Sequence, residues 1–260
     1  MLSTAIKAAH RAGKILKEYF NKSYKIESKD VISNLVTEVD KKAEEVIFRT
    51  IKKDYPTHNL LSEEFGALDK DSDVKWIIDP LDGTINYAHS IPICCISIGV
   101  EIRGKIIYGV IYNPFGKELF TSEKGKGSYL NGKKITVSKV SNIGKALLVT
   151  GFPYMTSKYN QIPAKIFIEF VSRDIPIRRL GSASLDLCYT ACGKFDGFWE
   201  YNLNPWDVAA GYLILKEAGG KITNFGNRRY SIYEKEILAT NGLIHNQMQK
   251  IIESVIRKVF

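Results

Sequence analysis

The feature that most restricts the fold is a short apolar run that ends directly in carboxylates. Trp76-Ile77-Ile78 is followed at once by Asp79-Pro80-Leu81-Asp82-Gly83-Thr84. An apolar run of this kind predicts a buried β-strand, which places the acids at its C-terminal end. Two carboxylates three residues apart on a turn can point to one side, where their oxygens suit a hard divalent cation. The segment therefore predicts a metal site at a strand end, with Pro80 stiffening the turn.

The last two residues of this segment suit a phosphate. Gly83 permits an unusual backbone torsion, so the amides of Gly83 and Thr84 can face a phosphate oxygen at a helix start. The Thr84 hydroxyl can orient a water molecule between a metal and a carboxylate. The alternative is an ordinary turn, because acid-proline turns and Asp-Gly dipeptides are common.

Two other segments place acids in similar positions. Ser62-Glu63-Glu64 follows the apolar pair Leu60-Leu61 and resembles a second strand end with paired acids. Asn204-Pro205-Trp206-Asp207 places an acid at the start of a predicted helix. For Asp207 the alternative is a favourable charge at a helix N-terminus, worth about 0.3 to 1 kcal/mol. Together the three segments strengthen the prediction of a carboxylate site.

Length and composition indicate a globular chain. A length of 260 residues is near the upper limit for one hydrophobic core, and 45% of the residues are apolar. We expect a single domain over 1–260, with a metal-binding half of about 1–140 and a substrate-binding half of about 141–260. No linker-like or repetitive stretch separates the halves, so they are expected to be packed layers.

The charge balance allows several kinds of partner. There are 37 basic and 28 acidic residues, a formal net charge of +9, which suits nucleic acid, a membrane surface or an anionic small substrate. The lysines are scattered and no basic run alternates with aromatic residues. Charge alone does not choose among these partners, and the scattered lysines favour solvated surface. The expected partner is a small phosphorylated substrate, with no membrane, and nucleic acid is disfavoured.

Targeting features and cysteines favour the cytoplasm. Basic residues interrupt the N-terminal helical pattern, so it lacks the apolar core of a secretion signal. The longest uncharged run, 83–100, is predicted to be a loop followed by a buried strand. The four cysteines lack a disulfide pattern, and Cys188 and Cys192 are expected to be core thiols rather than metal ligands. The four histidines also lack metal-ligand spacing.

The secondary-structure pattern changes along the chain. Amphipathic helices are predicted over 4–20 and from Thr37, which can cap the second helix with Asp40 in the capping-box position. Strands at 93–102 and 105–112 and a turn at Asn131-Gly132 predict an antiparallel meander. The second half alternates between strands and helices. Its predicted strands are 147–150, 175–180, 197–201 and two that begin at 222 and 237; its predicted helices are 162–171, 185–191, 207–218 and 244–259.

Four segments together resemble the inositol monophosphatase family in their order and rough spacing. They are Val36-Thr37-Glu38-Val39-Asp40, Glu63-Glu64, Asp79-Pro80-Leu81-Asp82-Gly83-Thr84 and Trp206-Asp207-Val208-Ala209-Ala210-Gly211. The resemblance covers nearly the whole chain. It implies an α/β layered sandwich of alternating helix pairs and β-sheets, a magnesium-dependent and lithium-sensitive phosphomonoesterase, and a homodimer.

The resemblance also implies a set of metal ligands. Glu63, Asp79 and the Leu81 carbonyl would hold a first magnesium, and Asp79, Asp82 and Asp207 a second; a third, weaker ion would also touch Glu63. A metal-held water, aligned by Glu63 and Thr84, would attack phosphorus in line, and Asp40 would support the Thr84 hydroxyl.

Substrate-contacting residues follow from the same resemblance. Gly181-Ser182-Ala183 matches the polyol-facing loop and Glu200 the hydroxyl-binding acid, while Asp82, Gly83, Thr84 and Asp207 would adjoin the phosphate. The family pattern does not require both Arg178 and Arg179, and Arg179 could bind a second phosphate or be ordinary surface charge. Phe65, where smaller polar residues are usual, suggests different local packing.

Inositol 1-phosphate is the expected substrate, with fructose 1,6-bisphosphate and 3′-phosphoadenosine 5′-phosphate as alternatives. A phosphatase that uses an aspartyl phosphate needs its two acids two residues apart, and here they are three apart. The non-enzymatic alternative is a basic regulatory or RNA-binding module on the same scaffold.

Overall fold

The computed structural model describes residues 1–22, 26–28, 35–153 and 161–258; of 26–28 and 35–37 it describes the backbone. The helices are α1 (Leu2–Tyr19), α2 (Glu38–Asp54), α3 (Thr84–Ala88), α4 (Ile162–Val171), α5 (Ala183–Ala191), α6 (Pro205–Glu217) and α7 (His245–Ile256). The first ten strands are β1 (Ile26–Ser28), β2 (Leu35–Thr37), β3 (Asn59–Ser62), β4 (Gly66–Leu68), β5 (Val74–Asp82), β6 (Cys95–Ile102), β7 (Lys105–Asn113), β8 (Glu118–Glu123), β9 (Gly127–Leu130) and β10 (Lys133–Ile135). The others are β11 (Leu148–Thr150), β12 (Ile177–Arg178), β13 (Gly197–Tyr201), β14 (Lys221–Thr223) and β15 (Glu236–Thr240).

The strands form two large sheets and a small hairpin. The first sheet has the order β10-β9-β8-β7-β6-β5-β3-β4 and is antiparallel except between β3 and β5. The second has the order β12-β11-β13-β15-β14, in which β11 runs parallel to both its neighbours. β1 and β2 pair as an antiparallel hairpin.

Helix pairs alternate with the two sheets. α1 and α2 cover one face of the first sheet, α5 and α6 lie between the sheets, and α4 and α7 pack together on the far side of the second. The alternation of side chains in β5 shows why its apolar run is continuous. Trp76 and Ile78 enter the core beneath α1 and α2, whereas Ile77 enters the core between the sheets. The mixed α/β layered sandwich expected from the sequence is confirmed.

Small residues let α6 lie directly on the first sheet. A Cβ atom at Gly99 of β6 would come within 2.8 Å of the Ala209 Cβ. One at Gly109 of β7 would come within 2.8 Å of the Ala210 carbonyl oxygen. A larger side chain at either glycine would force the helix away from the strands. This close packing brings the first turn of α6, with Asp207, towards the end of β5.

Most predicted elements are present, with differences in their bounds. The meander and all the second-half helices are confirmed. α5 begins at Ala183, earlier than the predicted 185, because the Ser182 Oγ caps it by accepting from the Leu185 N–H. The strand predicted at 175–180 is reduced to β12, since only Ile177 and Arg178 pair with β11. β4 was not predicted, and the Thr37 cap lies outside the described side chains.

Other sequence features have plain positions in the fold. Cys188 is buried between the sheets and Cys192 is half-buried, and both are free thiols. His245 lies fully buried between the hydroxyls of Thr223 and Thr240. Within the described ranges, no helix combines the length and apolar character needed to cross a bilayer.

Candidate active site

The first part of the site forms where two parallel strands end together. β3 and β5 pair in register, with Ser62 opposite Ile78, so the next residues, Glu63 and Asp79, lie side by side at one sheet edge. The Glu63 N–H donates to the Ile78 carbonyl at 3.3 Å. Between Asp79 and Asp82 the pairing of β5 with β6 shifts in register. Such an irregularity redirects side chains, which explains how acids three residues apart can share one cavity.

Gly83 then turns the chain from β5 into α3. Its φ is +94°, and a Cβ atom there would lie 2.8 Å from the Ile93 carbonyl oxygen, so no other residue fits. Thr84, the first residue of α3, places its Oγ1 3.0 Å from the Leu81 carbonyl and 3.3 Å from the Asp40 Oδ1. Asp40 comes from α2 and is buried. Three separate elements therefore meet at the Thr84 hydroxyl.

Asp82 is held by the N-terminal end of α5. Its Oδ2 accepts hydrogen bonds from the Ser182 Oγ and the Ser184 N–H, both at 2.7 Å. Donors of this kind stabilise the charged carboxylate. Ser182 belongs to the segment that was predicted to face a polyol, so this contact joins the two predicted parts of the site.

Asp207 is held by the start of α6. Its Oδ2 accepts a hydrogen bond from the Asn204 N–H at 2.7 Å. Two further contacts fix this turn, from the Ser184 Oγ to the Asp207 carbonyl at 2.9 Å and from the Ser97 Oγ to the Trp206 carbonyl at 3.3 Å. Asp207 therefore caps its helix, as the alternative interpretation proposed, and also faces the cavity.

One cavity of about 390 Å³ is lined by Glu63, Asp79, Asp82, Thr84, Ser182 and Asp207. Its described lining contains six acids and one basic residue: Glu63, Asp79, Asp82, Asp186, Glu200, Asp207 and Arg179. The formal charge of this lining is opposite in sign to the +9 of the whole chain. The cavity is therefore built for cations, even though the protein as a whole is basic.

The acids raise one another's pKa. Burial raises the pKa of Asp79 well above its ordinary value, and the charges of Glu63, Asp82 and Asp207 raise it further. Burial and the charge of Glu63 likewise raise the pKa of Asp207. Burial also raises the pKa of Asp82, although its bonds from Ser182 and Ser184 oppose this. Cations bound beside such a group of acids would favour their ionised forms.

The hydrogen bonds leave a consistent set of oxygens for a metal. Asp79, Asp82 and Asp207 each accept bonds from described residues through one carboxylate oxygen, and the other oxygen accepts none. Hard oxygen donors of this kind suit magnesium. Among the described residues, no three His, Cys, Asp or Glu side chains are gathered closely enough to hold a metal ion by themselves. The donor set fits magnesium if main-chain, water or phosphate oxygens complete it.

The predicted substrate residues are divided between cavity and surface. Gly181, Ser182, Ala183 and Glu200 line the cavity. Arg179 also lines it, with its guanidinium 5.6 Å from the centre of the Phe152 ring. Arg178 is exposed, bonds the neighbouring Ile177 carbonyl and is not part of the described lining, so only one of the two arginines faces the site.

Glu200 has a pKa raised to about 8 by burial and the Asp82 charge. The sequence patterns did not single out Asp186, a buried acid in α5 that also lines the cavity. The available clue was its position one helical turn after Ser182 in an otherwise apolar helix. Phe65 is exposed and its ring packs edge-on against Phe48, outside the described cavity lining.

Comparison with known proteins gives one consistent result. The model of the inositol monophosphatase family matches residues 1–258. An inositol-1-monophosphatase from Synechocystis is 41% identical over 96% of this chain and 87% of its own length. Nus factor SuhB from Escherichia coli K12 is also 41% identical, over 95% of this chain and 94% of its own.

A solved inositol monophosphatase structure from Anabaena superposes with a TM-score of 0.88 at 41% identity, covering 97% of this chain and 95% of the other. The similarity therefore extends over nearly the whole layered fold. The chain belongs to the inositol monophosphatase family and is a phosphatase of the metal-dependent kind.

Proposed function

We propose that this protein hydrolyses the phosphate monoester of a small polyol, with inositol 1-phosphate as the best candidate. The observation that supports it most strongly is the convergence of Glu63, Asp79, Asp82 and Asp207 on one cavity beside the Thr84 hydroxyl. Carboxylates at one end suit a metal-bound phosphate, and the acids at the other end suit neutral hydroxyls. The products would be inorganic phosphate and the free polyol.

The proposed ligands are the oxygen donors at one side of the cavity lining. Glu63, Asp79, Asp82, Asp207 and the Leu81 carbonyl would hold two or three magnesium ions. Bound magnesium would promote ionisation of a water molecule and offset the negative charge of the phosphate. The buried Asp79 and the other acids of the cavity would then be neutralised by the ions rather than by protons.

Thr84 and Asp40 would position the attacking water. The Thr84 hydroxyl has one hydrogen, which it donates to the Leu81 carbonyl or the Asp40 carboxylate. Its oxygen lone pairs are then available to accept a hydrogen bond from the water. Glu63 would accept the proton that the water loses, and the amides of Gly83 and Thr84 would hold a phosphate oxygen.

Two observations keep other functions open. Arg179 lines the cavity and could bind the second phosphate of fructose 1,6-bisphosphate or of 3′-phosphoadenosine 5′-phosphate. Relatives with 41% identity carry the name Nus factor SuhB, which favours a regulatory role as a second candidate.

The proposal is tested by measuring phosphate release from the three substrates. Each is assayed with magnesium, with EDTA and with magnesium plus lithium. We expect magnesium-dependent turnover that is highest with inositol 1-phosphate and that lithium inhibits. If the folded protein with magnesium releases no phosphate from any of them, the proposed activity is wrong, and salt-dependent RNA binding becomes the next measurement.

A further inference from the structure

Asp186 is a buried acid without a protein partner. Its side chain is 1% exposed and lines the cavity, and neither carboxylate oxygen has a hydrogen-bond partner in the structure. Its backbone is fixed, since the Asp186 N–H donates to the Ser182 carbonyl at 2.9 Å. Buried carboxylates are ordinarily hydrogen-bonded, so an unpartnered one in a cavity wall suggests a partner that arrives with the ligand.

A purely structural role for Asp186 explains less. The buried acid Asp196 shows what such a role looks like, because its carboxylate accepts hydrogen bonds from the Ser138 hydroxyl and from the Leu147 N–H at 2.7 Å. The Asp186 carboxylate, by contrast, accepts no hydrogen bond that would link two parts of the fold. The described charges that act on it are Glu200, Asp82 and Arg179, all of which also line the cavity.

Glu200 lines the same cavity, and its charge acts on Asp186. It follows Trp199, which pairs with Thr150 across the parallel strands β11 and β13. Its carboxylate rests against the backbone of Gly151, where a Cβ atom would lie 2.2 to 2.4 Å from the carboxylate atoms. No described residue donates a hydrogen bond to the Glu200 carboxylate. Two acids with unused acceptor oxygens therefore face one space.

The chemistry of this space favours hydroxyl groups. A hydroxyl can donate a hydrogen bond to a carboxylate without adding charge. A second phosphate would face two acids, and the exposed Arg179 opposes only part of that repulsion. An apolar group would leave the buried oxygens of Asp186 unpaired. The preferred ligand at this end is therefore a neutral group that carries several hydroxyls.

We propose that Asp186 accepts a hydrogen bond from a substrate hydroxyl beside Glu200, and that the two acids select polyol monophosphates over bisphosphates and over esters without hydroxyls. This inference rests on the proposed phosphatase function and specifies its substrate class. Asp186 contacts the substrate but takes no part in the attack on phosphorus.

The test compares two substrates in the Asp186→Asn protein. With magnesium present, kcat and KM are measured for inositol 1-phosphate and for p-nitrophenyl phosphate, whose leaving group has no free hydroxyl. We expect kcat/KM for inositol 1-phosphate to fall by roughly tenfold or more, mainly through KM, because the hydrogen bond from a substrate hydroxyl to a buried acceptor is lost. Hydrolysis of p-nitrophenyl phosphate should change little.

Two further variants complete the design. Asp186→Ala removes the same contact completely. It is included because the asparagine side chain of Asp186→Asn can still form a hydrogen bond with the substrate. Asp174→Asn, an exposed acid in the same half, is the control and should leave both substrates unaffected. Folded Asp186 variants with an unchanged ratio of the two kcat/KM values would overturn the inference while leaving the phosphatase proposal intact. A wild-type protein that hydrolyses neither substrate would overturn both.

Discussion

The acids that line the cavity form two sets that differ in the hydrogen bonds they accept from the protein. At the phosphate end, Asp79, Asp82 and Asp207 each accept hydrogen bonds from the protein through one oxygen and present the other. The carboxylates of Asp186 and Glu200, which line the same cavity, accept none from the described residues. The first set is positioned before any ligand binds, whereas the second set obtains its partners from the ligand. Catalytic groups benefit from being held in advance, because positioning them during the reaction would raise the barrier.

The difference follows from the surrounding elements. Asp82 lies at a strand end and accepts from the Ser184 N–H at the start of α5, and Asp207 accepts from the Asn204 N–H at the start of α6, where backbone N–H groups have no partner within the helix. Asp186 lies within α5 itself, and its own N–H already donates to the Ser182 carbonyl. Glu200 lies in β13, with its carboxylate against Gly151, which has no side chain to donate a hydrogen bond.

The largest expected effect is at the phosphate end. Asp82→Asn replaces a carboxylate that faces the metals but keeps a similar shape, so we expect kcat to fall at least roughly a hundredfold with the fold unchanged. Phosphate release with magnesium and circular dichroism measure the two properties. Asp73→Asn, which removes an exposed acid paired with Arg103, is the matched control. An Asp82→Asn protein with normal activity would show that the held acids are not the catalytic ones.

A smaller effect is expected from moving an acid without removing it. Gly151→Ala places a methyl group where the Glu200 carboxylate now lies, so the carboxylate must move. We expect KM for inositol 1-phosphate to rise roughly tenfold, as for the loss of one hydrogen bond to a charged group, with little change in kcat. Steady-state kinetics measure both values.

Gly226→Ala provides the control for that change. A Cβ atom at Gly226 would approach no atom closer than 3.4 Å, so kinetics should be unaffected. If Gly151→Ala lowers kcat and leaves KM alone, Glu200 belongs functionally with the phosphate end, and the distinction between the two ends is wrong.

The smallest effect concerns stability. Asp186→Asn removes a buried, unpartnered acid, so at pH 7 and without substrate we expect a gain on the order of 1 kcal/mol, or roughly 2 to 4 °C in Tm. Burial raises the pKa of Asp186 above its ordinary value of 3.8. Above that value the unfolded carboxyl loses its proton while the folded one retains it. The folded state then binds more protons, and stability falls as pH rises.

Asparagine does not titrate, so the gain from Asp186→Asn should be small near pH 3 and grow towards neutral pH. Thermal unfolding across this range measures it. Asp196→Asn, which disturbs a hydrogen-bonded acid, should instead lower Tm at pH 7. A loss of stability in Asp186→Asn would mean that the acid has a structural partner after all.

Local patterns predicted much of this molecule. The strand ending in Asp79 and Asp82, the antiparallel meander and the helix beginning near Asp207 all follow from periodicity and turn residues close in sequence. The short β4 and the early start of α5 were missed. β4 depends on pairing with β3, and the start of α5 depends on a cap made by Ser182.

Asp186 was missed for a different reason. Its neighbours in sequence, Leu185 and Leu187, suggest only a buried helix, and an acid inside such a helix has no distinctive spacing. Its importance depends on what its carboxylate lacks, which is a donor within reach. That property belongs to the space between α5 and β13, and no local pattern can express it.

The sequence by itself determined which residue types bring chemistry to this protein and the order in which they occur, because a strand end followed by acids is a local pattern. The tertiary structure decided which acids share a cavity. Residues as distant as Asp82 and Asp207 share this cavity because α6 packs against Gly99 and Gly109 and because Ser182 of α5 binds Asp82. It also decided which acids keep free oxygens, since every hydrogen-bond partner that distinguishes Asp82 from Asp186 depends on where the helices begin.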